Sequence, residues 1–229
     1  MYLFCRYFDC SCLRCEDATE FGTNLSSILC EKCQGTMLYD RSLENQSELT
    51  CQSCGAQKSN NEISQLEFDL EAYLENIKTD QNLLQETLSM HSSILHPTHY
   101  LMVAMKRYLM YLLDKSSLER IKLGTELLKV YDVITPGLTK ERGLTSFEIH
   151  SGLLRRIKCE LLHPIEPDQC QKLLEQCRQS LEYGLQAQKC LQFERENSFE
   201  NMIFELLRKS NPHCENIKQC LINSLQNHK

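Results

Sequence analysis

The chain has 229 residues, 41% of them hydrophobic, with 8 Gly, 5 Pro and no Trp. That length and composition exclude a disordered tail or a collagen-like chain, fit one ordinary domain with a small satellite, and favour helix through the scarcity of breakers. The formal charge of −6 divides evenly, since five cations against eight carboxylates leave −3 on residues 1–60 and −3 on the remainder; no basic face is offered to a phosphate backbone, which argues against direct nucleic-acid binding.

The opening MYLFCRYFD is interrupted by Arg6 and Asp9, unlike a secretory signal, and no later run approaches the ~20 apolar residues of a membrane span. An intracellular protein is expected, in cytoplasm, nucleus or both, where clustered cysteines serve as metal ligands rather than disulfides. Eight of the 14 cysteines lie between Cys5 and Cys54 and the next is Cys159, so a boundary is expected near residue 60. Residues 1–60 read as loop-rich and metal-stapled, because so short a segment with few large aliphatics does not close a core unaided.

In YFDCSCLRC, Cys10, Cys12 and Cys15 can wrap one metal but supply three ligands. Cys5 completing the shell, a ligand outside this sequence, and no metal at all are the alternatives. A stronger signal is the double C-x-x-C of CEKC and CQSC, Cys30/Cys33 and Cys51/Cys54, separated by 17 residues. Each pair makes a knuckle with both thiolates aimed at one ion, the pattern of a four-cysteine zinc site; with every position filled by sulfur such a site is structural. Unligated thiols or a redox pair are the competing reading. Gly35 and Gly55 follow the knuckles, where a side chain would crowd the returning backbone.

From Gln65 onward the pattern is helical. A helix near 65–90 comes first. Leu101, Met105, Tyr108 and Leu112 form the stripe of a helix starting near 98, with Pro97 as its first residue. Ser116 and Glu119 make a capping-box pair before a stripe of Ile121, Leu128 and Tyr131 that ends at Pro136-Gly137. Thr139 opens a third helix carrying Phe147, Leu154, Ile157 and Leu161, and Pro164 and Pro167 precede a fourth with Cys170, Leu174, Cys177 and Leu181 on one face. A last helix is expected over 197–226. Short connections predict antiparallel neighbours, and the starts near 98, 116, 140 and 168 depart from a 34-residue repeat, so the expected domain over 61–229 is tetratricopeptide-like without being a true repeat. The fold class is mainly α, with a small zinc-stapled N-terminal segment before this antiparallel helical domain. The cysteines of the helices read as core packing, His96 and His99 as capping or surface groups, His150 as a core-edge histidine, and the acidic run Ile63–Asn76 as a solvated face.

FDCSCLRCED resembles the post-SET segment of the SMYD family of SET and MYND domain proteins, and DATEFGT (Asp17–Thr23), the closing C-x-x-C-G, HPTHY (His96–Tyr100) and PGLTKERG (Pro136–Gly143) are similar to its arthropod SmydA branch, including msta-like proteins. The resemblance implies a protein-lysine methyltransferase using S-adenosylmethionine and acting on a protein substrate. It assigns residues 1–20 to a post-SET segment whose zinc is completed by a cysteine of an N-H-S-C motif, 21–60 to a zinc knuckle, and 61–229 to the C-terminal helical domain. It also places Phe8 against the adenine of the cofactor. No N-H-S-C, G-x-G or G-E-E string and no MYND cysteine-histidine set occurs in these 229 residues, and Arg6 stands where the family has a channel tyrosine. A guanidinium there would repel a cationic lysine. Two functions follow: the C-terminal part of such a methyltransferase, lacking its catalytic core, or a zinc-stapled helical adaptor binding a protein partner, with Tyr100, Tyr108 and Tyr111 as aromatic anchors.

Overall fold

The computed structural model describes residues 12–39 and 48–227, which fall into two compact units dividing after Tyr108. In the first, a single turn α1 (Leu13–Glu16) leads into DATEFGT, where Glu20, Phe21 and Gly22 all take positive φ, at 53°, 61° and 75°. Two non-glycine residues in that region cost about 1 kcal/mol each. Asp17 offsets the cost by accepting the Thr19 N–H at 2.9 Å and the Phe21 N–H at 2.7 Å. Glu20 then accepts the Ser26 N–H at 3.0 Å, so the turn is locked at both ends.

Four short strands follow, β1 (Ile28–Leu29), β2 (Thr36–Tyr39), β3 (Glu48–Cys51) and β4 (Gln57–Ser59), in an antiparallel meander of order β1-β2-β3-β4. Ile28 pairs with Met37, Met37 with Cys51, and Leu49 with Lys58. The loop-rich region thus also holds a small sheet, which the sequence did not announce. Strands of two to four residues are too short to announce themselves by alternation. Leu95 bridges to Ile28 of β1, and HPTHY behind it ties down the segment leading into the sheet: His96 N–H donates to Ser27 O at 3.2 Å, Tyr100 N–H to Leu25 O at 2.9 Å, and the Thr98 hydroxyl to Thr23 O.

The helix expected over 65–90 is two, α2 (Asn60–Ile77) and α3 (Gln81–His91), because Asp80 caps α3 by accepting the Leu83 N–H at 3.0 Å. Leu70, Leu74 and Ile77 from α2, Leu84 from α3, and Ile28, Met37, Leu49 and Leu95 form the buried interior of this unit. Residue 60 is therefore where sheet gives way to helix, while the compact unit runs on to Tyr108. The sheet shares its apolar interior with the helices instead of standing on metal alone. His99 caps the next helix as expected, its Nδ1 accepting the Leu101 N–H at 3.3 Å, but it does so fully buried, with Nε2 donating to Glu67 at 3.0 Å. Helix α4 (Tyr100–Leu112) starts after it, two residues beyond the expected start near 98, and its buried face is Leu101, Met102, Met105, Leu109 and Met110.

The second unit contains α5 (Leu118–Ile134), α6 (Lys140–Glu160), α7 (Pro167–Leu191) and α8 (Phe199–Asn227). Ser117, not Ser116, caps α5, while Ser116 donates its N–H to Asp114 at 2.8 Å. Thr139 caps α6 as expected, and Pro167 is the first residue of α7. Consecutive helices run antiparallel. Arg120 meets Glu148 and Arg142 meets Asp132 between α5 and α6; His150 reaches Ser180 between α6 and α7; Asn211 reaches Gln188 between α7 and α8. Cys170, Cys177, Cys190 and Cys214 are buried as core packing requires, but Cys159 and Cys220 are exposed. His150 lies fully inside, its Nδ1 2.8 Å from Ser180 O and its Nε2 3.0 Å from the Ser210 hydroxyl. Among the described residues no helix is long and apolar enough to cross a membrane.

Candidate metal centre

The meander decides where the four cysteines meet. Cys30 follows β1 and Cys33 precedes β2, so both sit on the β1–β2 turn; Cys51 ends β3 and Cys54 lies on the β3–β4 turn. Because β2 and β3 are paired neighbours, the two turns stand side by side at one end of the sheet.

Each turn has the same backbone wiring. The N–H of the first cysteine donates five residues on, Cys30 to Gly35 O at 2.9 Å and Cys51 to Ala56 O at 2.8 Å, while the residue after the second cysteine donates back, Gln34 to Cys30 O at 2.8 Å and Gly55 to Cys51 O at 3.0 Å. That returning residue has positive φ in both, 58° at Gln34 and 69° at Gly55. The two glycines therefore do different work. Gly55 occupies the left-handed position; Gly35 lies one residue later, where a Cβ would sit 2.5 Å from Ser53 Oγ and 2.9 Å from Ser53 Cβ.

The sulfurs of Cys30, Cys33, Cys51 and Cys54 all lie within 4.8 Å of one another. Cys30 and Cys54 are 3.6 Å apart, and Cys33 and Cys51 3.5 Å. Four sulfurs at ~2.3 Å from a zinc ion form a tetrahedron with edges of about 3.8 Å, so the cage fits zinc. Cys30 and Cys51 are buried and Cys33 and Cys54 exposed, which leaves one side open to solvent. The N–H groups of Cys54 and then Ser53 aim at Cys51 and push its pKa down to about 6. At Cys33 the Gly35 N–H also lowers the pKa, but hydrogen bonds shared with Cys51 and Cys54, with desolvation, outweigh it and push the thiol up to about 12. One proton is thus held across the pair, and a cation that replaces it releases it. Lys58 of β4 ties to Glu31 of the first turn, an ion pair the sequence did not reveal.

Of the other candidates, Cys12 and Cys15 are not members of this cluster. Phe8 and Cys10, with Cys5 and Arg6, lie outside the described residues. Cys12 precedes α1 and is exposed, and Cys15 lies within that turn. Among the described residues, the four-sulfur cluster is the group the fold assembles that could hold a metal ion. Fold and site together define the class: a mainly helical protein with a small antiparallel sheet, whose clustered cysteines can hold a metal ion such as zinc. Comparison with known protein families and with curated proteins gives no match for this chain.

Proposed function

We propose that this chain is a zinc-stapled scaffold that binds protein, built like the portion of a SMYD-type lysine methyltransferase that lies beyond the SET core, with a tetratricopeptide-like second unit. The closed four-sulfur cage carries this reading. Zinc held by Cys30, Cys33, Cys51 and Cys54 has no open position for substrate or water, so it clamps two hairpins and leaves recognition to the surface around them. Three of the strings on which the family resemblance rests support the reading through their structural work: DATEFGT locks a left-handed turn, HPTHY ties down the segment before β1, and PGLTKERG caps α6 through Thr139 while its Arg142 pairs with Asp132 at 2.7 Å.

The anchors differ from those expected. Tyr100 and Tyr108 are half-buried, and Arg107 lies over the Tyr108 ring at 5.2 Å, leaving Tyr111 as the exposed tyrosine of that helix. In the methyltransferase reading S-adenosylmethionine belongs to a SET core, and Phe8 covers one face of its adenine. Such a stack is worth about 1 kcal/mol, against at least ~4 kcal/mol lost in immobilising a ligand.

Metal analysis of the purified chain should find one firmly held zinc that Cys51→Ser removes, and calorimetry should find no binding of S-adenosylmethionine. Micromolar binding of the cofactor would overturn the scaffold reading; retention of the zinc by Cys51→Ser would overturn the cage.

A further inference from the structure

The charge that divides evenly at residue 60 is uneven beyond it. Residues 61–91 hold seven carboxylates against Lys78 alone, whereas 92–229 hold nineteen cations against sixteen carboxylates. A net −6, equal to the charge of the whole chain, therefore sits on the α2–α3 hairpin. Lys78 is already paired with Glu75 at 2.6 Å.

Between these two helices runs a groove of about 310 Å³. Leu66, Asp69, Leu70 and Tyr73 line it from α2 and Glu86, Thr87, Met90 and His91 from α3, so each helix brings one carboxylate to the groove. Leu70 and Thr87 are buried and form the floor; Tyr73 and Met90 are 44% and 63% exposed and form the walls. Asp69 accepts an amide hydrogen bond from Gln65 at 2.9 Å, and neither it nor Glu86 has an ion-pair partner among the described residues. An aromatic ring and a flexible thioether beside Leu70, with the Thr87 hydroxyl already donated to Leu83 O at 2.6 Å, suit an inserted apolar side chain, and two carboxylates without ion-pair partners suit lysine or arginine beside it.

We propose that the α2–α3 groove docks a basic amphipathic segment of a partner protein, its apolar side chains between Tyr73 and Met90 and its cations on Asp69 and Glu86. Anionic lipid surfaces and nucleic acids carry the groove's own sign and are repelled. The proposal rests on the protein-binding reading above and narrows it to one face and one partner chemistry. Zinc content and cofactor binding, which test that reading, do not depend on this groove.

The test is fluorescence anisotropy of the full chain with a labelled leucine–lysine peptide of helical spacing, its leucine–glutamate counterpart serving as control. The lysine peptide should bind saturably and the glutamate peptide should not. Asp69→Lys with Glu86→Lys should weaken binding at least about tenfold, while Glu182→Lys with Glu196→Lys, an equal change of net charge at exposed positions of the second unit, should weaken it no more than about twofold. Tyr73→Ala with Met90→Ala should weaken it without altering its dependence on salt, and unchanged circular dichroism shows that each variant is folded. Equal loss from the two charge-reversed pairs would reduce the effect to bulk attraction and overturn the proposal. So would absence of lysine-peptide binding, equal binding of the glutamate peptide, or a sedimenting dimer that Asp69→Lys with Glu86→Lys dissociates, which would make a second copy the occupant.

Discussion

At Gly35 a single methyl group decides whether the two knuckles can close on one ion. A Cβ there meets Ser53, the residue whose N–H points at Cys51, so Gly35→Ala pushes one knuckle away from the other. Zinc affinity should fall about tenfold, the scale of losses from groups that orient ligands, as read by competition with a chelating dye. His150 is decisive in another way. Burial lowers its pKa below the usual 6.5, so as pH falls the unfolded chain takes up a proton before the native one. Its contribution to stability is complete above about pH 6.5 and is lost below it, towards the lowered native value. His150→Gln should flatten that part of the dependence of the unfolding midpoint on pH, and an unchanged slope would show that other groups carry it.

Between elements, the second unit is fastened by polar groups that no apolar stripe reveals. Arg120 of α5 is buried, pairs with Glu148 of α6 and donates to Leu113 O at 2.7 Å. Glu148→Ala leaves a buried guanidinium without its counter-ion and should cost about 3 kcal/mol. Thermal denaturation should show a much smaller loss for the double change Arg120→Met with Glu148→Leu. Helix α6 meets α7 so closely at Gly143 that a Cβ would stand 2.6 Å from Leu191 Cδ2 and 2.8 Å from Cys190 Cβ. Gly143→Ala should therefore cost about 1–3 kcal/mol through overpacking, with the loss seen as a lower denaturation midpoint.

Over the whole molecule, the knuckles, sheet, α2 and α3 belong to one compact unit and α5–α8 to another. Leu29 N–H donates to Ile94 O at 2.7 Å and the Tyr39 hydroxyl to Asn60 at 3.1 Å, so loosening the hairpins reaches beyond residue 60. Cys51→Ser should abolish protection from hydrogen exchange over roughly residues 28–99 while α6–α8 keep theirs, since local stability follows cooperative units. Protection surviving throughout α2 and α3 would place the cooperative boundary back at residue 60.

By itself the sequence determined the cysteine cluster and the helices. Two C-x-x-C pairs define a four-sulfur site through local spacing, and helices of 17 to 29 residues repeat their apolar positions often enough to be read, as α5, α6, α7 and α8 were to within a few residues at their starts. Tertiary structure decided what depends on neighbours distant in the chain. It placed the knuckles side by side through the β2–β3 pairing, buried His99 and His150 among partners 32 and 30 residues away, and made two units dividing after Tyr108. It also brought Asp69 and Glu86 to one groove. None of these is a periodicity: each is a pairing fixed when separate apolar faces are buried together, which a one-dimensional pattern does not encode.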